Sequence, residues 1–361
     1  MQSLPLPAVP IFGRRSHPGI GSRLLCMALL PLGSWLSPAQ TVFLDFNTPG
    51  QYTGNFNPWN DANGADGGNY AFMESSTAGV AGSGGVSVFQ STDTTATFIG
   101  GSWDFSTNGA VLTLSVMVKA NGQTSANKVQ LGFLNVYNNG LNNNSGVAFE
   151  SFRTIPSSAT VWTLHEQYRT ADANVVDTLL GSLNVIVGHW YKFVVTATNT
   201  GPGNFNAASA LFDFGADGLS PGTNAVTFAS LVSRTGQDIA NSPAVWPALR
   251  AFQNGGIDAW DNFVVFTASS APTITLPLTN ATVAAGRTAS FSVFADGPGP
   301  ISYSWYTNNI LAEGASGPSY TTPNLNTSYT NISVVAANGN GADSNSVLIS
   351  VFVASLAGIS N

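Results

Sequence analysis

Lys, Glu and Arg, the residues that clothe the solvent face of helices, number 3, 4 and 8 in 361 positions. Helical surfaces are built from such long, straight side chains, so a chain this poor in them does not cover a set of amphipathic helices. Asn alone, at 34, outnumbers the 11 basic and 18 acidic residues together. Soluble domains carry roughly 25% charged residues; this chain carries 8%. Disorder is excluded by the 43% hydrophobic content, because disordered chains combine low hydrophobicity with high charge. A net charge of −7 and a pI near 4.7 repel phosphate, which excludes nucleic acid as a partner. What remains is an apolar and uncharged-polar chain rich in turn formers, 38 glycines among them. That is the composition of an all-β secreted protein.

The first 39 residues read as a secretory signal peptide. Arg14, Arg15, His17 and Arg23 precede an apolar run over 24–36, which ends in Ser37, Pro38 and Ala39. Pro31 and Gly33 interrupt the run, and it falls short of the roughly 20 residues a bilayer span needs. The single cysteine, Cys26, lies inside it, so cleavage after Ala39 leaves 322 residues with no thiol, 8 basic and 18 acidic side chains. Such a chain is stabilised by core size, by metal, or by both.

Beyond Thr41 short apolar alternations succeed one another: 42–46, 111–118, 129–137, 161–168, 190–198, 208–214 and 260–266. Leu112, Leu114, Val116 and Val118 share one face at period 2. Between the runs lie Asn138, Asn139 and Gly140, then Gly201, Pro202 and Gly203, then Asp217 and Gly218, all turn chemistry. The pattern predicts a large antiparallel sandwich over 41–267. Residues 268–271 are small and polar, as in a linker, and a shorter unit with strand spacing of its own follows over 272–353.

The second unit carries a resemblance. Val283 to Gly286 in sequence, Phe291 to Val293, the Gly297-Pro298-Gly299-Pro300 stretch and Ile301 through Tyr306 resemble a bacterial immunoglobulin-like domain. The resemblance implies that Trp305 is the core tryptophan. It also sets Val293 and Val334 at the positions of the inter-sheet disulfide, and Ile332 at the tyrosine-corner position. In the first unit His189 through Val195, Leu211 to Asp213 and Asp258 through Val265 resemble laminin-G-like, concanavalin-type jelly rolls. That resemblance implies a last strand beside the first, Val42 to Phe46. The fold class expected is therefore all-β: a large antiparallel jelly-roll sandwich plus a small immunoglobulin-like sandwich.

Catalytic chemistry is scarce. Laminarinase-type relatives of such jelly rolls carry E-x-D-x-E on one strand, and retaining glycosidases need two carboxyls about 5–5.5 Å apart. Glu74, Glu150, Glu166 and Glu313 have no acidic residue two positions away. Gly218, Ser220 and Gly222 match a serine-hydrolase spacing, but that motif works only at a strand-to-helix turn, and Pro221 lacks the N–H of the usual oxyanion donor. His165 and His189 read as structural or surface residues. The expectation is a non-enzymatic protein.

Two other chemistries are open. Structural calcium takes Asp and Asn oxygens. Asp61, Asn63 and Asp66 have the flavour of a calcium loop, but Ala65 and Phe72 break the EF-hand template, and an exposed turn explains the segment better. Asp45 and Asn47 would meet Asp261 and Asn262 if the first and last strands pair; the alternative is that both aspartates cap strand ends. Sugar binding uses aromatic platforms beside amides. Tyr52, Phe56 and Trp59, Tyr137 with Asn138 and Asn139, and Trp162 with Tyr168 supply the pieces, of which Trp59 and Tyr137 lie best for exposure. Trp190, Trp260 and Trp305 read as core. The expected partner is an extracellular glycan or cell-surface component. A purely structural or adhesive protein–protein module is the alternative, and an uncharacterised polysaccharide hydrolase or lyase comes third.

Overall fold

The computed structural model describes residues 42–59, 72–89, 93–123, 128–136, 141, 149–169, 175–220, 223–230, 238–252, 256–326 and 330–352. The leader read over 1–39, the 61–67 loop, and Tyr137, Asn138 and Asn139 lie outside the described residues. The chain is an all-β sandwich protein. Among the described residues no helix is long and apolar enough to cross a membrane.

The first fifteen strands run in order β1 (Val42–Leu44), β2 (Phe56–Trp59), β3 (Phe72–Ser75), β4 (Gly85–Val88) and β5 (Asp93–Phe98). Then come β6 (Val111–Ala120), β7 (Lys128–Leu134), β8 (Phe149–Ser158), β9 (Val161–Arg169) and β10 (Val175–Asn184). The set closes with β11 (Trp190–Gly201), β12 (Asn204–Asp213), β13 (Thr223–Ser230), β14 (Trp246–Phe252) and β15 (Ile257–Thr267). One sheet has the order β13-β12-β11-β6-β15-β4-β3, with β1 also on β15; the other is β10-β9-β8-β7-β14-β5-β2.

The facing sides of these sheets form the main core, and period-2 patterning explains it. Leu112, Leu114, Val116 and Val118 of β6 meet Val129, Leu131 and Phe133 of β7 and Leu249 and Ala251 of β14 in one buried cluster. Trp260 lies among Phe46, Tyr52, Phe56, Phe72 and Phe263, with ring centroids 5.0 to 6.4 Å away and mostly edge-on. Each such pair adds about 0.5–1.5 kcal/mol beyond its area burial. This cluster corrects the platform reading of Tyr52 and Phe56, and Trp162 is likewise buried. These rings are core.

The remaining strands are β16 (Thr273–Leu276), β17 (Ala281–Ala284), β18 (Ser290–Ser292), β19 (Phe294–Asp296), β20 (Ser302–Thr307), β21 (Ile310–Leu311), β22 (Ser319–Thr321), β23 (Thr330–Asn338) and β24 (Gly341–Phe352). A sheet of order β17-β24-β23-β20-β21 faces the pairs β16–β19 and β18–β22, with β17 parallel to β24. Trp305 is fully buried, pairs in register with Val334, and donates from Nε1 to Gly317 O at 2.9 Å. Val293 and Ile332 join the same apolar core.

The outward side of β6, β11 and β15 is not left to water. Met117, Trp190 and Ala259 cluster with Phe214 and with Leu276 of β16, and Phe294 of β19 packs against them. Within this contact Lys192 of β11 forms a buried ion pair with Asp296 of β19, and its ammonium lies 4.2 Å from the Phe294 ring centroid. Thr275 Oγ1 donates to the same Asp296 carboxylate at 2.8 Å.

Candidate functional site

Strand β1 pairs antiparallel with β15, Leu44 opposite Phe263, so Asp45 emerges beside Asn262. Strand β15 is irregular there: its register on β6 shifts between Asp261 and Val264, and Asn262 has φ 50°. The four residues Asp45, Asn47, Asp261 and Asn262 are thus brought to one place. Two of them, Asp261 and Asn47, bind the backbone of the 79–84 loop. Asp261 Oδ2 accepts from Val80 N at 3.0 Å, Oδ1 accepts from Asn262 N at 2.7 Å, and Asn47 Oδ1 accepts from Gly84 N at 3.0 Å. Asp45 accepts from the Asn47 side chain at 3.0 Å.

Burial raises the Asp261 carboxyl to about 7, and the charge of Asp45 pushes the same way, against the N–H groups of Val80 and Asn262. Two like charges in this setting are what a divalent cation relieves. Among the described residues, however, no three His, Cys, Asp or Glu side chains gather in one place. A cation here would draw on these two carboxylates and on Asn oxygens.

Of the sugar-contact residues expected from sequence, Trp59 lies in β2, which pairs with β5 at Thr95; Tyr137, Asn138 and Asn139 lie outside the described residues. The polar surface that the structure brings together is elsewhere, on the side of the seven-stranded sheet turned away from the main core. Register places Thr95, Arg250, Gln130, Arg153 and His165 in one row across β5, β14, β7, β8 and β9. Thr97, Ser151, Gln167 and Asp177 lie in the next row.

These side chains are linked across strands. Arg250 Nη1 donates to Gln130 Oε1 at 2.8 Å, and Gln130 Nε2 donates to Ser151 Oγ at 2.6 Å and to Gln167 Oε1 at 3.0 Å. Arg153 pairs with Asp177, whose other oxygen lies 3.1 Å from His165 Nδ1. Gln130, Ser151 and Thr95 form the buried floor, while the Asp177 side chain retains 36% exposure and that of His165 18%. Leu141 covers one end, packing on Leu134, Phe149 and Ala248, with its N–H 3.2 Å from Thr95 Oγ1. Alternation along β14 puts Trp246 and Phe252, both half-buried, at opposite ends of this face, about 20 Å apart at ~3.3 Å per residue.

Both histidines among the described residues carry an aspartate, His165 with Asp177 and His189 with Asp213 at 3.0 Å. Thr163 Oγ1 lies 3.1 Å from His165 Nε2, which outlines a hydroxyl–imidazole–carboxylate chain. The hydroxyl donates to Ile155 O at 3.1 Å, so its proton is held by the backbone and not offered to the ring. The Gly218 to Ser220 stretch is a turn with no helix behind it, and a Cβ on Gly218 would meet the Trp190 ring at 3.1 Å. A second hollow of about 570 Å³ opens on the other sheet, lined by Lys119, Asp217, Asp258 and Ser87. Its Trp190 is buried beneath Lys119 and presents no ring face.

No family model matches this sequence, and no curated protein does. Among solved structures, an I-band fragment of titin is 21% identical over 23% of this chain and 33% of its own, with a TM-score of 0.21. A chimeric titin Z1Z2 is 25% identical over 23% of this chain and 96% of its own, TM-score 0.20. The N-terminal Ig1-2 module of the Drosophila receptor protein tyrosine phosphatase DLAR is 23% identical over 24% of this chain and 50% of its own, TM-score 0.22. This chain spans only a third of the titin I-band fragment.

Proposed function

We propose that the protein is a secreted, non-enzymatic extracellular or cell-surface protein of bacterial type. In this reading the larger sandwich, a laminin-G-like or concanavalin-type jelly roll, binds carbohydrate and the immunoglobulin-like sandwich is its spacer. One observation carries it: the linked row of Arg250, Gln130, Arg153 and His165 with Ser151 and Gln167 on the outward side of the seven-stranded sheet. Burying hydrogen-bonding groups costs free energy that apolar residues would not, and the core needs none of them there. Amide, hydroxyl and guanidinium groups between two aromatic rings are the means by which proteins hold sugar hydroxyls and ring faces.

A polysaccharide and glycan array with the full chain, repeated with Gln167→Ala, is the test. Binding that Gln167→Ala weakens supports the proposal. Absence of binding on every surface removes it. Calcium is proposed as a structural ion at Asp45 and Asp261, where it would offset the like charges. Its test is the melting temperature with calcium and with chelator, and a temperature unmoved by chelator removes the ion.

A protein–protein module is the second reading. It draws on the edge strand β21, where Ile310 is 73% and Leu311 52% exposed, since an unpaired edge invites another strand. Self-association lost in Ile310→Lys, with no glycan bound, would favour it.

A further inference from the structure

We infer that the ligand of the outward face of the seven-stranded sheet is an acidic polysaccharide, its uronate carboxylate seated against Arg153 and Arg250 with the sugar ring on Phe252. This rests on the carbohydrate reading and narrows it to one chemical class. The first observation is an unused donor. Arg153 is 6% exposed, pairs with Asp177 through Nη2, and its buried Nε has no hydrogen-bond partner among the described residues. A buried guanidinium N–H left unmade is costly, and a carboxylate that draws the guanidinium outward would satisfy it.

The second observation is charge. Arg153 and Arg250 are separated in the row only by Gln130, a neutral residue. Burial lowers the Arg153 pKa first, Asp177 opposes that, and Arg250 then lowers it further, so the two guanidiniums act on each other. Asp177 is shared between Arg153 and His165. A second carboxylate relieves the repulsion between the arginines, and the planar fork of a guanidinium matches a carboxylate's two oxygens.

The third is shape. Phe252 is two residues from Arg250 on the same side of β14, its ring centroid 5.9 Å from the guanidinium carbon. Thr163 lies two residues from His165 on the neighbouring edge of the row. A pyranose resting on Phe252 would hold its carboxylate over Arg250 and toward Arg153, and the next sugar along the row would set its hydroxyls toward Thr163 and His165, three strands or about 14 Å away. Neutral sugars use the same ring and hydroxyl contacts but leave Arg153 Nε unmet.

The test uses one polymer in two states. Full-length protein in chelator is assayed against polygalacturonate, its fully methyl-esterified form, neutral laminarin and dextran sulfate. Polygalacturonate is expected to bind, the ester at least about tenfold more weakly, and the bound fraction to fall between about 50 and about 300 mM NaCl. Arg153→Lys keeps the charge and loses the fork; it is expected to cost about tenfold on polygalacturonate with the melting temperature kept. Equal binding of acid and ester, or of laminarin alone, overturns the acidic assignment and leaves the carbohydrate reading standing. Stronger binding of dextran sulfate than of polygalacturonate overturns the carboxylate. No binding of any polymer overturns both. The acid–ester comparison uses the parent protein, so it decides even where Arg153→Lys fails to fold.

Discussion

At the scale of single residues, Asp261 concentrates the electrostatic cost of the fold. Its carboxyl stands at about 7 in the folded chain, raised by burial, against about 3.9 in an unfolded one. Between those values the folded state holds a proton that the unfolded state has released. Stability is therefore fully present below about pH 4 and falls as pH rises toward 7, by an amount on the order of 4 kcal/mol. In chelator, Asp261→Asn is expected to flatten that slope, being more stable than the parent at pH 8 and no more stable at pH 4. Urea midpoints of both proteins across this range check it, and an unchanged slope in the variant would show that Asp261 ionises freely. The neighbouring loop depends on the missing side chain of Gly84. A Cβ there would lie 2.1 Å from Phe46 O, so Gly84→Ala is expected to cost about 1–3 kcal/mol, read as a lower urea midpoint.

At the scale of elements, period-2 patterning was legible where one side of a strand meets the core. Leu112, Leu114, Val116 and Val118 announce β6 and its inward side, and Trp305 announces the core of the smaller sandwich. The outward sides were not legible. Gln130 and Arg250 stand 120 positions apart and meet only because β7 pairs β14; His165 finds Asp177 only through the β9–β10 register. Trp246 and Phe252 carry no outward signal in the sequence, because Pro247 and Ala248 dilute the alternation of β14. Nor does the sequence show that Lys192, the one charged residue of β11, is buried against Asp296 of β19. Burial lowers the Lys192 pKa and Asp296 opposes the shift. Removing one partner leaves a charge stranded, so Lys192→Met is expected to cost about 3–5 kcal/mol. The double variant Lys192→Met with Asp296→Leu is expected to regain most of that, because a buried ion pair and an apolar pair of similar volume are nearly equivalent. Chemical denaturation of the parent, both single variants and the double variant completes the cycle. A double variant as unstable as the sum of the singles would show that the two side chains do not act as a pair.

At the scale of the whole molecule, small polar residues between two sandwiches read as a linker, yet residues 268–271 are held by the smaller sandwich. Ser270 is fully buried, Asn338 Nδ2 donates to Ser270 O at 3.0 Å and to Pro298 O at 3.0 Å, and Asn340 Nδ2 donates to Ala268 O at 3.0 Å. Thr267 N donates to Ser270 Oγ at 3.0 Å, closing a turn at the end of β15. Composition reports what a segment is made of; these bonds come from Asn side chains about 70 positions downstream, which no local pattern announces. The 34 asparagines, turn formers in this sequence, therefore also supply short amide side chains that satisfy loop carbonyls where Lys and Arg are scarce. Proteolysis needs a segment that can leave its hydrogen bonds. Elastase, which cuts after small residues such as those at 268–271, is expected to leave this junction intact in the parent. Asn338→Ala is expected to open it, releasing two fragments divided near Ala271 at a rate at least about fivefold higher, as the loss of two hydrogen bonds worth ~0.5–1.5 kcal/mol each requires. Equal, rapid cleavage of both proteins at this site would show that the junction is already free, and that the sandwiches are joined by the apolar cluster around Trp190, Leu276 and Phe294 together with the Lys192–Asp296 pair.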